Sequence, residues 1–297
     1  MTLHRPHGSL ADGTDPVALT PDDAGWSFTG LRVLSLAPGV ERSIATGTSE
    51  ACVLPLSATD VTVRCDADAY TLAGRTSVFA RVTDFAYIPR DSTMTLESPA
   101  GGEVAIAMAC CERRLAPCYG PAEDVAVEIR GAGPATRQVT NFMSPDVWEH
   151  ADKLMCVELL TPDGNWSSYP PHRHDDSPEC PVNNEEIYYF RIGRAGSTEF
   201  STDGFGMHRI YTPDGTIDEN VVVGDGDVFL VPRGYHGPCI AAPGYTMYYL
   251  NVLAGPGGDR SMAFCDDPAH HWVRDSWADM ATDPRVPMTS RDGVLTS

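Results

Sequence analysis

The sequence predicts an all-β protein made of two β-rich halves, and three observations carry that prediction. From Trp26 onward, short β-branched and aromatic runs recur at roughly ten-residue spacing between Gly, Pro, Asp and Ser turns, the rhythm of a sandwich or barrel. No amphipathic helical period interrupts the first series of runs. Each half closes on a strand followed by an apolar-x-x-Pro turn, "FAYIPRDST" in the first and "VFLVPRGYH" in the second, which suggests a duplicated fold.

Taken in order, residues 1–25 are polar, with Pro, Gly and Asp, and read as a loosely ordered arm. Residues 26–145 hold the first strand series, from "LRVLSLAPG" and "ACVLPLS" through "EVAIAMAC", then a linker, "CERRLAPCYGPAED", and "VAVEIRGAG". Residues 146–278 hold the second series: "LMCVELLTP", "EEIYYFRIG", "GFGMHRIYT", "VVVGDGDVFLVPRG" and "GYTMYYLNVLAG", with "TPDG" and "GDGD" as turns. "DPAHHWVRDSWADM" reads as one short helix, and 279–297 is a polar tail.

Composition excludes several functions. A net charge of −20 argues against nucleic acid or an anionic membrane as partner. An anionic substrate would need a local cluster of arginines to overcome that field. Lys153 is the single lysine beside twenty arginines, so a Schiff-base mechanism has one amine to draw on and metal or acid–base chemistry is favoured. The nine cysteines form no C-x-x-C, the N-terminus lacks an apolar signal region, and no apolar run reaches membrane length. These features point to a cytoplasmic protein with reduced thiols.

The histidines are unevenly placed. None lies between Gly8 and Glu149, and six occur from His172 on, so a histidine metal site belongs to the second half. His172 and His174 are one residue apart, and on a strand i and i+2 face the same way. Pro170–Pro171 biases the approach toward extended backbone. The carboxylate pair Glu185–Glu186 follows a polar stretch, and His236 stands at the end of "GDGDVFLVPRGYH". Imidazoles with a carboxylate suit Zn, Mn, Fe or Ni; the plainer alternative is a solvated, charge-rich loop.

The spacing resembles the two cupin motifs. Gly164, His172, His174, Glu186 and Gly193 match the first, and Gly226, Pro232, Gly234 and His236 match the second. Eleven residues, "DDSPECPVNNE", separate His174 from Glu186; this is longer than the plain motif and reads as a loop at the barrel mouth. "GNWSSYPPHRHD", "EEIYYFRI", "VPRGYHG" and "YYLNVLAGP" resemble the bicupin isomerase family that contains 5-deoxyglucuronate isomerase and 4-deoxy-5-hexosulose-uronate ketol-isomerase. The likeness extends over the first half, from "GWSFTGLRVLSLAPG" to "IRGAG" and "RQV". "HRH" in place of "HKH", the Gly–Pro after His236, Cys180 and His208 depart from the family pattern and bear on substrate preference.

The resemblance implies two jelly-roll β-barrels with a short C-terminal helix, the first barrel without metal ligands. It implies a divalent metal, Zn or Mn foremost, held by His172, His174, Glu186 and His236. The implied reaction is aldose–ketose isomerisation of a small deoxyuronate in inositol catabolism. The sister ketol-isomerase reaction, a cupin dioxygenase using the same ligands, and a sugar-binding cupin are the alternatives. Alternation from Glu186 makes Tyr188 a candidate hydrogen-bond donor. His208, one strand further, is a candidate acid or base, or else a packed strand histidine. Arg233, then Arg209, are candidates for the substrate carboxylate, Arg173 ranks last, and Tyr249 shares a cavity-facing side with Asn251. A barrel free of metal ligands suits subunit contacts, so a homo-oligomer is expected.

Overall fold

The computed structural model describes residues 2–177 and 180–295. Four antiparallel sheets lie one upon another. The first outer sheet has four strands, in the order Arg42–Ala45, Thr93–Glu97, Thr59–Cys65 and Asp68–Gly74. The first inner sheet has six: Cys118–Gly120, Phe85–Ile88, Ser49–Pro55, Gly102–Cys110, Thr29–Leu36 and Val17–Leu19. The second inner sheet has seven: His4–Arg5, Val228–Val231, Glu185–Arg194, Tyr245–Ala254, Met155–Thr161, Arg137–Asn141 and Ala126–Arg130. The second outer sheet runs Asp218–Gly224, Phe205–Tyr211, Tyr235–Ala241, His172–Arg173 and Cys265–Asp266, with Trp166–Ser167 also paired to Tyr235–Ala241. The chain is thus all-β, each half a pair of facing sheets.

The side chains show why the layers stack. Strand alternation sends Ala51 and Val53 into the first half's own core, against Val61, Val63 and Leu96. Cys52 and Leu54, on the opposite face, meet Ile187, Tyr189, Leu250 and Val252 from the second half. The intervening residues Tyr188, Phe190 and Tyr249 point the other way, toward Ile210, Cys239 and Ala241 of the second outer sheet. The central strands of the two inner sheets are therefore covered on both faces, while the edge strand Ala126–Arg130 is exposed. The central strands read as continuous apolar runs, as such strands must, and Met155–Thr161 is buried at every position.

The structure differs from the sequence expectation in three places. The arm is ordered: His4–Arg5 pairs with Phe229 and Val228, and Val17–Leu19 pairs with Val33 to Leu31. Each segment covers the open edge of an inner sheet, which would otherwise present unpaired backbone groups. The strands at 126–141, placed by sequence in the first half, hydrogen-bond to Met155–Thr161 and extend the second inner sheet. With them in place, the first half shields one face of the second half. The "WVRDS" helix appears as Trp272–Ser276 with a further 3-10 turn at Trp277–Asp279. The tail is fastened too: the Gln138 side-chain oxygen accepts from the backbone N–H of Met288 and Thr289, and Val82 N–H donates to the Ser290 carbonyl.

One buried charge cluster crosses between the halves. Arg75, 3% exposed, pairs with Glu158, which also 3% exposed, accepts a 2.7 Å bond from the Tyr248 hydroxyl. Arg75 Nε donates to the Pro55 carbonyl at 2.9 Å. Burial pulls the guanidinium toward neutrality, but Glu158 outweighs it and the arginine stays charged. Removing one partner strands a charge in an apolar interior. Glu158→Leu or Arg75→Met alone should lower unfolding stability by about 3–5 kcal/mol, and the double variant should recover most of the loss; denaturant midpoints of the four proteins measure this.

Candidate metal centre and active site

The candidate ligands come together between the second inner and second outer sheets. The two-residue strand His172–Arg173 is held between Tyr235–Ala241 and Cys265–Asp266, and His172 lies directly opposite His236 in that pairing. His174 follows two residues on. Glu186 projects from the second inner sheet on the same side as Tyr188 and Phe190. One ring nitrogen from each of His172, His174 and His236 lies within 4.8 Å of the other two. Glu186 stands beside this trio: its Oε2 is 3.0 Å from His236 Nε2 and 4.0 Å from His174 Nε2.

Hydrogen bonds at the back of each ring fix which nitrogen faces inward. His172 Nδ1 lies 3.1 Å from the Pro170 carbonyl, His174 Nδ1 lies 2.6 Å from the Ala263 carbonyl, and His236 Nδ1 lies 3.4 Å from the Gly234 carbonyl. A carbonyl only accepts, so each Nδ1–H donates and each Nε2 keeps its lone pair for the centre. The Gly–Pro after His236 has a steric cause. Gly237 adopts φ +99, and a Cβ there would sit 1.8 Å from the Ser168 carbonyl oxygen, so only glycine lets this strand close on the Ser168 turn.

These residues fit a cation. Both carboxylate oxygens of Glu186 and Nε2 of His236 are buried without a hydrogen-bond partner. A carboxylate oxygen beside an imidazole lone pair in an apolar interior is costly, and a divalent ion at their focus relieves every one of these groups. Burial drives His172 well below the ordinary imidazole value, with His236 and His174 adding to the effect, and burial lowers His174 as well. Both are therefore neutral, the form that binds metal. Burial pushes Glu186 upward, but the neighbouring His236 and then His174 outweigh it, and the carboxyl is held down at about 2.

A cavity of about 420 Å³ opens on this cluster, and His172, His174, Tyr188, Tyr249 and Asn251 line it. Tyr249 and Tyr188 place their hydroxyls 2.7 Å from Ser167 Oγ and 3.3 Å from Ser168 Oγ. Burial lifts both phenols well above their usual range, so they are donors rather than bases. His208 does not reach the cavity wall. It is fully buried among Phe229 at 4.4 Å and Tyr188 at 5.4 Å, with Nδ1 3.0 Å from Cys239 Sγ, and burial lowers it to about 3. This enclosed imidazole has the surroundings of a packed strand histidine and is not among the described residues that line the cavity.

The two arginines proposed from sequence also lie elsewhere. Arg233 leaves the strand end on a turn, half exposed, and donates to Thr216 Oγ1 at 2.6 Å, with Asp214 at 3.7 Å. Arg209 alternates with the inward His208 and therefore points outward, 3.5 Å from Asp218. Arg173 stacks on Tyr235, 4.7 Å from the ring centre. The cavity instead carries Arg130, Arg137, Arg260 and Arg274, four cations in a chain of net charge −20. No spacing in the sequence marks them, because each reaches the cavity from a different segment. Among the described residues the long insert adds nothing to the cavity wall. It forms a small ribbon, Asp175–Ser177 on Cys180–Asn183, and its residues 178–179 lie outside the described ones.

Comparison with known proteins agrees with this geometry. An oxalate decarboxylase from Lactobacillus farciminis superposes with a TM-score of 0.64 at 10% identity, covering 90% of this chain and 88% of that one; at that identity the likeness is one of fold. An IolB-like protein from Salmonella typhimurium LT2 superposes with a TM-score of 0.82 at 29% identity, covering 92% of this chain and 99% of its own. Fold and site thus define a cupin-fold protein with its histidine cluster in the second half. The KduI/IolB family model matches residues 3–273. A relative from Geobacillus kaustophilus named 5-deoxy-glucuronate isomerase is 40% identical over 264 residues, 88% of this chain and 91% of that protein. The chain belongs to the KduI/IolB family and is an isomerase.

Metal content tests the ligand set. His236→Ala and Glu186→Gln should each reduce bound divalent metal at least about 10-fold after dialysis, since even residues that merely orient ligands are worth that much. Arg233→Gln should leave metal content unchanged. Elemental analysis by plasma mass spectrometry of the purified proteins reads both outcomes.

Proposed function

We propose that the protein is a metal-dependent aldose–ketose isomerase that converts 5-deoxy-D-glucuronate to 5-dehydro-2-deoxy-D-gluconate in the cytoplasm, as a step of myo-inositol catabolism. The observation that carries the reading is the convergence of three inward Nε2 lone pairs and a buried carboxylate without a hydrogen bond beside an arginine-rich cavity. The name shared by the Geobacillus relative supports the substrate. All nine cysteines are free thiols, and no helix among the described residues is long and apolar enough to cross a membrane.

In the open-chain reaction the hydrogen on carbon 2 moves to the aldehyde carbon, and the hydroxyl proton on O2 moves to O1. His172, His174, His236 and Glu186 would hold zinc or manganese, which supplies Lewis-acid polarisation of the two oxygens and stabilises charge as it develops on them. Glu186, ionised at every working pH, acts as a ligand rather than a proton carrier. The Tyr188 and Tyr249 hydroxyls stay protonated and orient the chain by donating hydrogen bonds to its oxygens. Apolar walls from Val157, Leu159 and Leu253 keep bulk water from the reactive carbons.

Incubation with 5-deoxy-D-glucuronate should remove the aldehyde proton signal in the NMR spectrum and yield the ketose, without oxygen consumption. Chelator treatment and the His172→Ala/His174→Ala pair should each lower the rate at least about 1000-fold, the scale expected when electrostatic stabilisation of the developing charge is lost. Oxygen uptake coupled to substrate loss would identify a dioxygenase instead, and full activity of the double variant would overturn the metal mechanism.

A further inference from the structure

The four cavity arginines are not equivalent. Arg130 forks onto Glu128, at 3.1 and 2.7 Å. Arg274 forks onto Asp266, at 2.5 and 2.7 Å. Arg260 is consumed by the backbone carbonyls of Met143, Leu154 and Trp148. Each of these three has its charge or its donors committed to the protein.

Arg137 differs. It begins the strand Arg137–Asn141, and alternation puts it on the same side as Val139 and Asn141, both of which line the cavity. It is 4% exposed. Its Nη1 donates to the Ala135 carbonyl at 3.1 Å, while Nε is buried with no hydrogen-bond partner. Among the described residues no carboxylate pairs with it. Burial pulls its guanidinium down to about 10, in contrast to Arg75, which has Glu158 to compensate it. A buried guanidinium held in this way is an unmet demand for an anion.

We infer that Arg137 is the anchor for the substrate's carboxylate, so that an acyclic sugar acid lies along the cavity with its acid group at Arg137 and its carbonyl end at the histidine cluster. This rests on the isomerase reading above and adds to it the residue that holds the acid end of its substrate. Planar bidentate donation gives orientation as well as affinity. The proton shift then falls on the carbons beside the histidines and not on those beside the acid.

The test compares wild type, Arg137→Gln and Arg137→Lys on 5-deoxy-D-glucuronate and on the neutral sugar with CH2OH in place of the carboxylate. Arg137→Gln should raise KM for the uronate by roughly 100-fold, the factor expected for lost hydrogen bonds to a charged group, and change kcat by less than about threefold. It should leave turnover of the neutral sugar unchanged, and Arg137→Lys should restore part of the affinity. Equal losses on both substrates, or an unchanged KM for the uronate, would overturn the assignment. If Arg137→Gln does not fold, as judged by thermal melting, Arg137→Lys alone decides, through the same comparison of acid and neutral sugar. If wild type turns over neither sugar, the isomerase reading fails. Calorimetry with D-glucuronate and D-glucose then decides Arg137 separately: a preference for the acid that Arg137→Gln abolishes supports the anchor, and a preference that survives, or none in wild type, overturns it.

Discussion

Everything in the second half follows from one constraint, that the central strands of its seven-stranded sheet have no face toward water. The first half covers one side and the second outer sheet covers the other, so a polar side chain on those strands must find its partner inside the protein. Two carboxylates show what that demands. Glu158, facing the first half, is satisfied within the chain by Arg75 and the Tyr248 hydroxyl. Glu186, facing the opposite way, meets imidazoles with lone pairs already turned toward it and is left without a hydrogen bond. The first is a structural brace; the second is a demand for charge from outside the chain. The same burial that makes one of them rigid makes the other reactive.

The electrostatics of the cavity repeat this division on a larger scale. The surface field of a strongly acidic protein repels anions, and only a concave site with local cations reverses it. Four arginines supply them, yet three are already bound to Glu128, Asp266 or backbone carbonyls. These three shape and tighten the walls through the loops they hold, while the fourth is left with a charge to share. Among the described residues, the two sheets of the first half add nothing to the cavity wall. They contribute one dry face, and that face removes water from behind the strand that carries Glu186 and Tyr188.

The parts legible in the sequence were those written by local periodicity. His172, His174, Glu186 and His236 stand out because two-residue alternation and the motif glycines fix where such side chains point. Tyr249 and Asn251 were readable for the same reason. The arginines were not readable: Arg137, Arg260 and Arg274 come from a strand, a loop and the end of a helix, and tertiary packing alone brings them together. Arg233 and Arg209 looked suitable by proximity in the chain, but proximity does not say which face of a turn or strand a side chain takes. His208 shows the converse, since alternation correctly turns it inward, into a wall of aromatic rings rather than into the cavity. The strands at 126–141 follow the first series after a linker, and a period of two gives no hint of which sheet a strand will join.

The edge strand His4–Arg5 has a consequence for biosynthesis. His4 Nε2 lies 2.7 Å from Asp227 Oδ2, a contact across 223 residues, and the backbone N–H of His7 donates to the same carboxylate at 2.8 Å. The segment His4–Arg5 therefore cannot take its place until Val228–Val231, its partner strand far along the chain, has been translated. The sheets of the first half draw only on strands within residues 17–120, whereas the second inner sheet keeps the edge of Val228–Val231 open until His4–Arg5 returns to it. A segment joined ahead of His4 is carried to the margin of the second half, not to the first half that follows it in sequence.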